Sequence, residues 1–167
     1  MSATKFVEID GRGFWALDDA LDVWLAYLVD QIGDRSRADD TWIADLRDQW
    51  SLTAAISDYG ITIDFDTQEH RDRIREFAEA ARRAASEVGD VTPDRLRQWL
   101  ILDDIAESDG HARRPEGVQL NRILEVADGF IALLDGRLPP DPPSGWWFLG
   151  TGEGMSEIGR SIRPSNP

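Results

Sequence analysis

Val7-Glu8-Ile9-Asp10-Gly11-Arg12-Gly13-Phe14-Trp15-Ala16 is the stretch that decides the fold. Two short apolar-bearing runs flank Asp10-Gly11, a dipeptide that supplies the positive φ a tight hairpin turn requires. The spacing predicts a β-hairpin. Immediately afterwards the period changes. Leu17, Leu21, Trp24, Leu25, Leu28 and Ile32 recur at helical intervals, which predicts a helix over 18–32, capped by Asp18 or Asp19 and ended by Gly33.

The same two periods continue along the chain. Trp42, Ile43, Leu46, Trp50 and Ala54 predict a second helix over 40–57 behind Asp39-Asp40. Ile61-Thr62-Ile63-Asp64-Phe65 alternates as a half-buried strand does. Asp66-Thr67-Gln68-Glu69 reads as a capping box for a third helix over 67–88, striped by Ile74, Phe77, Ala78, Ala81, Ala85 and Val88. Thr92-Pro93 opens a fourth helix carrying Leu96, Trp99, Leu100 and Leu102. A fifth covers 116–135, with Leu120, Ile123, Leu124, Ala127, Ile131 and Leu134 on its stripe. Pro139-Pro140-Asp141-Pro142-Pro143 excludes helix and predicts extended chain. The expectation is an α+β fold, mainly α: about five packed helices with a small β element, the hairpin plus a strand near 61–65. Residues 1–137 form one globular domain in this reading, and 138–167 a Pro/Gly-rich tail that is docked or flexible.

Charge is the strongest compositional signal. The 167 residues hold 32 acids and 18 bases, a net charge of -14, and Lys5 is the one lysine. The excess is uneven: residues 1–66 hold 14 acids and 5 bases, whereas residues 67–97 hold 7 of each. Such a chain is repelled by nucleic acid and anionic membranes and attracted to basic partners. Cysteine is absent, which removes disulfides, thiolate metal sites and a thiol nucleophile, and suits a reducing compartment. The N-terminal residues carry no leader pattern, and no apolar run approaches the ~18 residues of a membrane span, so a cytoplasmic location is expected.

No motif names a chemistry. Gly150-Thr151-Gly152-Glu153-Gly154-Met155-Ser156 lacks the lysine of a phosphate loop, and Glu153 would repel the phosphate. Asp103 to His111 resembles half a calcium loop, but its first ligand position falls on Ile105. Asp64 and Asp66 stand two apart, a spacing that can hold a divalent cation; the plainer reading makes Asp64 solvent-facing and Asp66 a helix cap. His70, beside Glu69 in a first helical turn, reads as exposed, and neither it nor His111 sits in a metal-binding frame. The arginines at 71, 73, 75, 82 and 83 interleave with acids in the pattern of a solvated helix.

Function is therefore expected from contact rather than catalysis. Asp18, Asp19, Asp22 and Asp30, then Asp39, Asp40, Asp45 and Asp48, are expected on the outer faces of the first two helices, where they would steer a basic protein. Trp146 and Trp147 are the candidate apolar anchor. The expectation is an immunity- or antitoxin-like protein that neutralises a basic partner, without cofactor or metal. Two alternatives are a metal-assisted enzyme built on Asp64, Asp66, Asp103, Asp104, Glu107 or His111, and a non-catalytic subunit of a larger assembly.

Overall fold

Asp10 and Gly11 both take positive φ, 50° and 75°, and join two antiparallel strands through a two-residue turn. The hairpin is longer than the sequence pattern suggests. Strand β1 spans Thr4–Ile9 and β2 spans Arg12–Leu17, with Ile9 opposite Arg12 and Thr4 opposite Leu17. The computed structural model describes residues 4–33, 40–56, 60–99, 117–137 and 148–151.

Helix α1 (Asp18–Ile32) leaves β2 without a loop, followed by α2 (Thr41–Ile56) and the short strand β3 (Ile61–Ile63). Helices α3 (Gln68–Val88), α4 (Pro93–Gln98) and α5 (Leu120–Leu134) follow, and β4 (Phe148–Thr151) is last. The fold is α+β and mainly helical. The four strands form one sheet in the order β3-β1-β2-β4, with β3 parallel to β1 and the other pairs antiparallel. Strand β4 is a correction, since its residues have no strand period; their backbone pairs with Arg12 to Trp15. Strand β3 is shorter than the expected 61–65 because the chain leaves the sheet after Ile63.

Gly60 lets β3 reach β1, since a Cβ there would collide with the Phe6 carbonyl. On the face of β1 turned toward α1 lie Lys5, Val7 and Ile9; Phe6, on the other face, packs its ring 5.1 Å from that of Trp15.

Helix α1 is the centre of the molecule, packed against α2, α3, α5 and the hairpin. Every residue from Ala20 to Leu28 is buried. The sequence predicts a striped helix with an acidic outer face; the structure encloses this helix on all sides, so it has no such face over those two turns. Trp24, Trp50 and Phe130 meet edge-on within this core, with ring centroids 5.8 and 6.0 Å from Phe130.

Helix starts also depart from expectation. Leu17 occupies the cap position of α1, while Asp18 and Asp19 fall in its first turn. Asp40 does precede α2, and its Oδ1 accepts from the Trp42 and Ile43 amides at 3.1 and 3.3 Å. Thr67 caps α3 by accepting from the His70 amide, so the third position holds His70 and the expected capping box is not reciprocated. Thr92 and Pro93 open α4 as their sequence predicts. Helix α5 starts at Leu120 rather than 116 because Val118 pairs with Val91 in a β-bridge.

Candidate functional site

The expected acidic surface divides into three environments. Asp18 and Asp19 are half-buried, and their carboxylates accept from the amides of Asp19 and Ala20, at the positive end of the α1 dipole. Burial raises the Asp19 carboxyl above its ordinary pKa, against the lowering effect of the Ala20 amide. These side chains serve the helix start.

Asp22 is a correction. It is 1% exposed, and the Lys5 ammonium, itself 6% exposed, donates to its Oδ1 at 2.7 Å. Burial pushes the Asp22 carboxyl up to about 7, although Lys5 pulls it down. Enclosed in this way, Asp22 cannot touch a partner. The spacing of α1 suggested a polar face because nothing local reveals a lysine on a strand that the hairpin folds back over it.

Asp40 has several partners. Besides capping α2 it accepts from Arg73 at 2.9 Å through Oδ2, and the same oxygen lies 3.2 Å from His70 Nε2. The other ring nitrogen of His70, Nδ1, stands 2.6 Å from Asp66 Oδ1. The imidazole lies flat on Trp42, ring centroids 4.4 Å apart and planes 4° from parallel. His70 is thus not the unremarkable exposed residue expected from its place beside Glu69; its side chain is 17% exposed and bridges two carboxylates. The hydrogen bond from Asp66 raises the His70 pKa above its ordinary value, and the same bond lowers that of Asp66. The four-residue spacing of Asp66 and His70 was available in the sequence, but Asp40 comes from a separate helix. The cap role expected of Asp66 belongs to Thr67. Asp64 follows the end of β3, exposed.

Asp30, Asp45 and Asp48 are exposed. Asp30 accepts from the Trp99 indole at 3.3 Å, and Asp48 pairs with Arg47 at 3.1 Å. Helical spacing puts Asp45, Asp48, Gln49 and Leu52 on one outward stripe of α2. Leu52 is 57% exposed. Leu52 is not among the anchor residues expected from the sequence, and its signal there is an apolar side chain off the core stripe of α2.

Among the described residues, eight cationic side chains are engaged within the molecule. Lys5, Arg47, Arg71, Arg73, Arg75, Arg82, Arg97 and Arg137 each pair with a carboxylate. Arg71 ties α3 to the hairpin turn at Asp10 and also donates to the Leu134 carbonyl.

Asp39, Trp146 and Trp147 lie outside the described residues, as do Asp103, Asp104, Glu107 and His111. Among the described residues, no group of three His, Asp or Glu side chains is arranged to hold a metal ion. Nor is any helix among them long and apolar enough to cross a membrane. The chain matches no protein-family model, no curated protein and no solved structure.

Proposed function

We propose that this protein binds and neutralises a basic protein partner in a reducing, cytoplasmic setting, in the manner of an immunity or antitoxin protein. The observation that carries this reading is the net charge of -14, whose excess is concentrated in residues 1–66 with 14 acids against 5 bases, together with the exposure of Asp30, Asp45 and Asp48 in that block. Such a charge speeds capture of a cationic protein by roughly 10-fold or more at low ionic strength. The outward stripe of α2 is the contact surface in this proposal. Asp45 and Asp48 supply charge, and Leu52 supplies an apolar point that desolvates on contact.

The test is an affinity capture from the lysate of the source cells, washed at low and at high salt, using wild type and an Asp45→Lys/Asp48→Lys variant. The expected result is one stoichiometric basic protein that salt loosens and the double variant fails to hold. Equal capture by both proteins, indifferent to salt, would remove α2 and steering from the account.

A further inference from the structure

We propose that His70 is a proton-operated clasp fixing the start of α2 to the start of α3. Both ring nitrogens of His70 face carboxylate oxygens, Nδ1 at 2.6 Å from Asp66 and Nε2 at 3.2 Å from Asp40. A carboxylate can only accept, and neutral imidazole carries a single N–H. Imidazolium alone satisfies both contacts. Its flat stacking on Trp42 adds an attraction between a cation and a ring face, which the neutral form also forfeits.

The groups around the imidazole set the direction of the switch. Asp66 approaches from the segment between β3 and α3, and Asp40 from the start of α2. Arg73, on α3, shares the Oδ2 atom of Asp40 and opposes protonation, whereas Glu69, adjacent in the chain and exposed, favours it weakly. Two close carboxylates against one cation leave His70 easier to protonate than an ordinary histidine, in agreement with its raised pKa. When the proton leaves, the shorter bond to Asp66 keeps the remaining N–H on Nδ1. The Nε2 lone pair then faces Asp40, so the His70 half of the tie between the helices opens, Arg73 alone holds Asp40 from α3, and the local link within the α3 start persists. Asp40 also holds the first amides of α2, at Trp42 and Ile43, so opening loosens the entry to the helix that carries Asp45, Asp48 and Leu52.

Histidine-resolved nitrogen-15 NMR of the whole chain across pH 5–9, with amide protection factors measured in parallel, tests the clasp. His70 is expected to titrate above the ordinary value of about 6.5. It should become an Nδ1–H tautomer when neutral, and lose protection at Trp42 and Ile43 as it deprotonates. In Asp66→Asn the midpoint should move down, and in His70→Gln the protection of those two amides should no longer follow pH. Asp40→Asn retains a capping side chain while removing the charge, so it should lower the midpoint without unravelling α2. A midpoint at or below about 6.5, or protection that ignores the titration, would overturn the proposal.

Discussion

Lys5 is the one lysine of the chain, and the fold hides it. Its ammonium lies between the hairpin and α1 with Asp22 as its partner. Two consequences belong to this residue. Amine-reactive reagents should leave Lys5 unmodified in the native protein and label it on unfolding, as peptide mass mapping would record. Lys5→Met leaves a buried carboxyl without its partner, and because that group then takes up a proton the loss should stay below the about 3–5 kcal/mol of a stranded charge, whereas Lys5→Met/Asp22→Leu should recover most of it; urea unfolding of the two variants checks both values. Recovery would not follow if the pair were a net source of stability. This pair was invisible in the sequence, because Lys5 and Asp22 are 17 residues apart and belong to elements of different period. Asp22 looked like an outer-face residue because helical spacing records which residues share a face, not whether a second layer covers it.

At the scale of elements, local chemistry was legible where it closes on itself. Asp10-Gly11 forms the turn it encodes, and Thr92-Pro93 opens α4, since each needs only neighbouring backbone. Thr67 stands at the cap of α3 with its hydroxyl accepting from His70. Thr67→Ala should lower stability by about 1 kcal/mol, measured by chemical denaturation, and Thr67→Asn should restore it. The contribution of His70 was not legible, because Asp40 reaches it from another helix and Trp42 stacks on it from the same one. Strand β4 escaped notice for a related reason: four residues paired only on β2 need no amphipathic period of their own.

For the whole molecule, two ionisations, those of Asp22 and His70, act in one direction above pH 5. The Asp22 carboxyl is raised from 3.8 to about 7, so the folded chain keeps a proton that the unfolded chain gives up over that interval, and stability falls as pH rises through it. His70 is raised from 6.5, so its contribution is complete below that value and is lost as pH climbs through the folded pKa. Asp66 is lowered from 3.8 and acts oppositely, losing its contribution only as pH falls below that value through its folded pKa. Self-repulsion from the -14 charge also weakens toward acid. The Tm should therefore be higher at pH 5 than at pH 8, with the difference reduced in His70→Gln and in Lys5→Met/Asp22→Leu. A scanning calorimeter, with added salt raising the Tm at pH 8, gives the comparison.

In the proposed function the same charge is what attracts a basic partner. The most direct measurement is the salt-graded capture from source-cell lysate, run side by side with wild type and Asp45→Lys/Asp48→Lys. One basic protein is expected, held in stoichiometric amount at low salt, loosened at high salt and absent from the variant. No enriched basic protein, or one held equally by both chains at both salts, would contradict the proposed function.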